Sequence, residues 1–135
     1  MSDPALELQR VLVATLKADP AVTALVGGRV YDAPPPNPTF PYITLGEDVV
    51  SPQRADCYDG SHTTLAVHGW SRAVGYPEVK RIGAAIRGAL HEAPLAMADG
   101  QRLVDLALID NRIMRDPDGL TSHTALTFRA LTEPV

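Results

Sequence analysis

Residues 102–132 read RLVDLALIDNRIMR, then DPDG, then LTSHTALTFRALT, and this stretch decides the fold class. The runs Arg102 to Arg115 and Leu120 to Thr132 have the composition and length of two long strands. Between them stands Asp116-Pro117-Asp118-Gly119. Here Pro sets one turn dihedral, Asp supplies local backbone hydrogen bonds, and Gly accepts positive φ. The stretch predicts an antiparallel hairpin, and with it a sheet built by hairpin connection rather than by parallel crossovers.

Moving toward the N-terminus, Val79, Ile82, Ile86 and Leu90 recur at helical spacing, with Lys80, Arg81 and Arg87 turned away from them. This second main helix begins after Gly75 and is stopped by Pro94. Before it, His62 to Trp70 alternates, with Thr63, Leu65 and Val67 on one face and Thr64, Ala66, His68 and Trp70 on the other. Tyr42-Ile43-Thr44-Leu45 has strand composition and feeds Glu47 to Gly60, whose polar content with Pro52 and Gly60 predicts a mobile loop. Between Ala33 and Pro41 five prolines predict an ordered but irregular crossing. Only about thirty residues precede that crossing, too few for a core of their own, so it is not a domain linker.

Asp3 and Pro4 open the first helix, which runs to about Ala18 with Leu6, Leu12, Val13 and Leu16 in phase. Asp19-Pro20 repeats the start signal for a shorter turn through Leu25, Gly27-Gly28 ends it, and Arg29-Val30-Tyr31 begins an extended segment. The order predicts an α+β fold. It is a mainly antiparallel sheet of about four strands, with two main helices packed on one side and a long hairpin, in one domain over residues 1–135.

Apolar residues make up 45% of the 135 positions and charged residues 21%, the balance of a globular chain and not of a disordered one. Runs such as Val11 to Leu16 fall far short of the roughly 20 apolar residues that span a bilayer. Met1-Ser2-Asp3-Pro4 lacks the charged and apolar parts of a secretory signal, so the expected location is the cytoplasm. Cys57 is the only cysteine, which excludes an internal disulfide and a cysteine zinc cage. A formal charge of −4 argues against a nucleic-acid clamp built on clustered Lys and Arg.

Candidate chemistry is sparse. Gly27-Gly28 has neither the Walker lysine nor GxGxxG spacing and reads as a helix end. His62, His68, His91 and His123 show no HxxxH or HExxH spacing, so no metal site is expected, and packed or interface histidines are the simpler reading. Cys57 lies near His62 in sequence, but nothing supplies an oxyanion hole or an orienting third group. Asp116 and Asp118 belong to a turn, and with Asp105 and Asp110 they have the wrong spacing for a calcium loop. No catalytic residue, cofactor or metal is expected.

The ordered segments resemble the tail-terminator or tail-completion family of long-tailed phages, prophages and gene transfer agents. The resemblance is carried by LVGGRVYD at 25–32, FPYITLGE at 40–47, HGWSR at 68–72, ALHEAPL at 89–95, RDPDG at 115–119 and FRALTEP at 128–134. Residues 49–59 fall outside it. The resemblance implies a non-enzymatic virion subunit, assembled in the host cytoplasm, that forms a hexameric ring on the head-proximal end of the tail tube. The ring would end tube growth and meet the head connector or stopper protein. DNA would pass through its lumen without sequence-specific binding, and no membrane would be involved. Asp48, Arg54 and Tyr58, in the polar stretch, are the expected partner contacts. Two other readings are a head-side connector or stopper component, and a dimeric α+β small-molecule binding protein or enzyme with a pocket around His62, His68 and Trp70.

Overall fold

The computed structural model describes residues 4–55, 58–98 and 100–135; of residues 53–55, 58 and 59 it describes the backbone. In chain order the elements are α1 (Pro4–Ala18), α2 (Pro20–Val26), β1 (Val30–Tyr31), β2 (Tyr42–Ala55), β3 (Tyr58–Ser71), α3 (Pro77–Leu90), β4 (Gln101–Arg115) and β5 (Ser122–Pro134). The strands form one sheet in the order β1-β2-β3-β5-β4. Every pairing is antiparallel except β1 with β2. The α+β class and the helices on one side agree with the sequence; the two-residue β1 brings the strands to five and adds the parallel step.

Three predicted elements fall close to their expected bounds because each has a strong period and a local stop signal. In α1, Leu8, Leu12 and Leu16 are buried while Leu6 is exposed. The residue expected to cap it, Asp3, lies outside the described residues. Asp19 caps α2, its Oδ1 accepting the N–H groups of Ala21 at 3.0 Å and Val22 at 3.1 Å. In α3 the whole predicted stripe, Val79, Ile82, Ile86 and Leu90, is buried. The hairpin β4–β5 closes as its turn residues dictate. Gly119 has φ 72°, and Asp118 Oδ1 accepts from the N–H groups of Leu120 at 2.8 Å and Thr121 at 2.9 Å.

Within the stretch Glu47 to Gly60, residues 47–55 and 58–60 depart from the sequence expectation. They are not a loop. They continue β2 and β3 as a long hairpin, paired from Asp48 with Leu65 to Ala55 with Tyr58. Their polar composition misleads because the alternation that marks a strand exists only where one face is buried. Pro52 is tolerated because β2 is an edge here: β1 covers only Ile43 and Thr44.

The core lies between the helices and one face of the sheet. Val67 of β3 and Leu126, Phe128 and Ala130 of β5 pack in one buried cluster with Leu8, Leu12 and Leu16 of α1 and Ile82, Ile86 and Leu90 of α3. Gly69 lets α3 approach, since a Cβ at that position would stand 2.6 Å from Ile82 Cγ2 and 2.8 Å from Thr124 Cγ2. Among the described residues, the opposite sheet face carries no helix. The alternating residues of β3 that include His68 and Trp70 point there.

Candidate assembly surfaces

The three expected contact residues all belong to the β2–β3 hairpin. Asp48 is exposed, directly after the irregularity in register between Leu45 and Asp48. Arg54 and Tyr58 occupy the last rungs, Arg54 pairing with Asp59 and Ala55 with Tyr58; their side chains lie outside what is described. The pairing of β3 with β5 begins only at Ser61, so the rungs from Gln53 and Gly60 onward are held by β2 and β3 alone. These rungs are therefore hydrogen-bonded as a two-stranded ribbon. Cys57 lies outside the described residues.

His62, His68 and Trp70 share one face of β3, but at different points along the strand. His68 and Trp70 join His123 of β5, while His62 lies farther along β3 in a groove with Asp105, Ala107, Leu108, Ile109, Arg129 and Leu131. The Trp70 and His123 rings stack with centroids 3.8 Å apart and planes 15° from parallel. Trp70 Nε1–H donates to Thr44 Oγ1 at 3.0 Å. Tyr42 and then Phe40 extend the row, with the Arg72 guanidinium 4.4 Å above the Phe40 ring. The proline-rich crossing thus ends by tucking its aromatic residue over this part of the bare face. His62 stands apart from these stacked rings, so a single small-molecule pocket around His62, His68 and Trp70 gains no support.

His68 Nδ1 and His123 Nε2 are 2.6 Å apart, so one nitrogen donates and the other accepts, an arrangement open to two neutral rings. Burial lowers the pKa of His68, opposed by the charge of Glu47. Burial lowers that of His123 too, helped by His68 and opposed by Asp116. The Asp116 carboxylate, 3.7 Å from His123 Nδ1, therefore faces an imidazole that is neutral at pH 7. Sequence reasoning missed His123 in this cluster because it is 55 positions from His68 and only the β3–β5 register brings them together. Among the described residues, no group of three His, Cys, Asp or Glu side chains could hold a metal ion.

The sheet also presents main-chain edges. β4 is a terminal strand with two register irregularities, after Leu103 and after Leu108. Its middle is closed on the outer side, where Glu92 N–H donates to Leu106 O at 2.7 Å and Leu108 N–H donates to His91 Nδ1 at 3.0 Å. Past that lock, Ile109 and Ile113 are exposed. At the other margin a groove of about 670 Å³ runs between the outer side of α1 and the segment from Val30 to Ala33.

A profile of the tail completion protein gp17 family matches residues 10–133. The tail completion protein gp17 of Bacillus phage SPP1 is 25% identical over 122 residues, spanning 90% of this chain and 89% of that protein. A chain from the virion of a native gene transfer agent particle superposes with a TM-score of 0.89 at 31% identity, over 98% of this chain and 99% of its own length. The structure of the SPP1 gp17 protein superposes with a TM-score of 0.62 over 93% and 88% of the two chains; at 22% identity this likeness bears on the fold alone.

Proposed function

From the premise that this chain belongs to the tail completion protein gp17 family, whose members are structural proteins of the virion tail and not enzymes, we propose that it is a tail terminator. As a single domain it would close into a hexameric ring on the head-proximal end of the tail tube, stop tube growth and receive the head connector. The observation that carries this reading is the near end-to-end likeness to a chain of an assembled gene transfer agent virion. Two geometric features support it. The sheet ends on two different strands, β1 and β4, so one subunit offers two unlike sides. The end of the β2–β3 hairpin is paired by its own two strands alone, and Asp48, Arg54 and Tyr58 on this hairpin are the partner contacts in this reading.

The chain carries a formal charge of −4. A ring of such subunits would leave DNA free to slide, since tight sequence-independent binding requires clustered cations at the phosphates. Deleting the gene and imaging the particles tests the proposal. Overlong tails, or tails unattached to DNA-filled heads, are expected. Normal-length tails joined to full heads would remove the terminator role. Mass measurement on purified tails is expected to find six copies at one tube end, and a uniform distribution along the tube would make the chain a tube protein instead. A chain carrying Arg54→Glu with Tyr58→Ala is expected to fold but to reproduce the defect in head joining; full complementation by it would remove the ribbon from the partner interface.

A further inference from the structure

The groove beside His62, on the sheet face away from the helices, has a volume of about 410 Å³. Its apolar lining includes Ala107, Ile109 and Leu131, and its polar lining is His62, Asp105 and Arg129. The register brings these residues together. Leu131 stands opposite both His62 and Asp105, and Arg129 stands opposite Ala107. Two irregularities in β4, between Leu103 and Asp105 and between Leu108 and Asp110, bracket this part of the strand, and the second leaves Ile109 without a partner on β5. Such an extra residue bends a strand and aims a side chain beside a site. The outer side of the bracketed stretch is tied down by Glu92 N–H on Leu106 O at 2.7 Å and Leu108 N–H on His91 Nδ1 at 3.0 Å. The β4 wall of the groove is thus held in place before anything meets it.

The polar lining has unmet bonding capacity. His62 Nδ1 is buried and finds no hydrogen-bond partner among the described residues. A buried polar atom left so forfeits its hydration for nothing, which is why nearly all such atoms are bonded in working proteins. Arg129 and Asp105 are exposed, and among the described residues neither makes a side-chain ion pair. The lining therefore holds one fixed cation and one fixed anion, so a charged ligand would be drawn by one and repelled by the other. A peptide group suits all three. Its C=O accepts from Arg129, its N–H donates to Asp105, and one or the other serves His62 Nδ1 in either tautomer. Ile109, 52% exposed, with Ala107 and Leu131 offers apolar surface for an aliphatic side chain. The groove lies open across β3, β5 and β4, which suits a length of chain passing over it, whereas small-molecule sites enclose most of their ligand.

We propose that this groove docks an uncharged, extended segment of another protein of the particle. One aliphatic side chain of that segment sits on Ala107, Ile109 and Leu131, and the adjoining peptide group bonds to His62 Nδ1, Arg129 and Asp105. The site is distinct from the hairpin contacts at Asp48, Arg54 and Tyr58. It requires that the chain be a tail component, and neither a ring nor a terminator role.

The test titrates the full chain with N-acetyl-leucine N-methylamide, a neutral probe with one aliphatic side chain between two peptide groups, and follows the His62 ring and the Ile109 methyls by NMR. A saturable shift at both, in the millimolar range, is expected of so small a probe. His62→Phe, read at Ile109, and Ile109→Arg, read at His62, are each expected to weaken binding at least about tenfold. Val74→Arg, at a side chain 99% exposed and off the groove, leaves it unchanged. N-acetyl-leucine, a carboxylate, and leucine N-methylamide, a cation, are expected to bind more weakly than the neutral probe. No saturable shift, tighter binding of a charged probe, or parent-like binding by both groove variants overturns the proposal. Particles give a second readout. A benzophenone side chain in place of Ile109 is expected to crosslink to one other protein, at a stretch with an aliphatic residue and no Asp, Glu, Lys or Arg. A crosslink to DNA, to a charged stretch or to no other protein overturns the proposal as well. The titration uses the chain alone, so losing the terminator role would leave its result standing.

Discussion

Gly69 shows how much one missing methyl group can decide. With Ile82 and Thr124 methyls within 3 Å of where a Cβ would stand, Gly69→Ala must push α3 off the sheet. The expected cost is about 1–3 kcal/mol, read as a lower urea midpoint with an unchanged slope; a variant as stable as the parent would show that the helix can shift freely. The His68–His123 pair gives a second residue-scale prediction. Both folded-state pKa values lie below the ordinary 6.5, so the unfolded chain takes up protons first as pH falls. The pair's contribution to stability is therefore complete above about pH 6.5 and is lost as pH drops through the folded values. Urea midpoints followed downward from neutral pH should fall less steeply for His68→Gln with His123→Gln than for the parent, and parallel profiles would refute the assignment. At this scale the sequence told part of the story. Alternation put His68 and Trp70 on one face, and that holds. It could not supply His123 or the need for glycine at 69, because both follow from a pairing register and a helix approach set by distant residues.

At the scale of elements, α3 and the β4–β5 hairpin were readable because each advertises itself locally, one by a 3.6-residue stripe and the other by its turn. Ile82 and Ile86 are fully buried, so Ile82→Asp or Ile86→Asp leaves an unpaired charge in the core. The cost is several kcal/mol against a total of roughly 5–15 kcal/mol, and insoluble expression or a collapsed melting transition is the expected outcome. For the hairpin, Asp118→Ala removes the acceptors of Leu120 N–H, Thr121 N–H and the Thr121 hydroxyl. Faster amide exchange confined to the end of the hairpin is expected, and unchanged protection there would assign the turn's strength to Pro117 and Gly119 alone. The β2–β3 ribbon was misread for a physical reason. Ser51, Pro52, Gln53 and Gly60 show no apolar alternation in sequence, and a strand held by main-chain pairing leaves little trace in side-chain chemistry.

For the molecule as a whole, the order of short segments pointed to the family, yet no single residue marked an assembly surface. Whether a strand is an edge depends on sheet order, and β1 as the outermost strand is a consequence of one parallel pairing that hydropathy does not encode. The stacked Trp70 makes acid titrations of the fold simpler to follow. It is the chain's single tryptophan, lying face to face on an imidazole and tethered to Thr44 across two strands. Protonated imidazole quenches indole light emission on contact, whereas a neutral ring does so weakly. The molecule therefore carries its own optical gauge: an acid-induced dimming that precedes the red shift of unfolding would report the charge on His123 while the sheet is still intact.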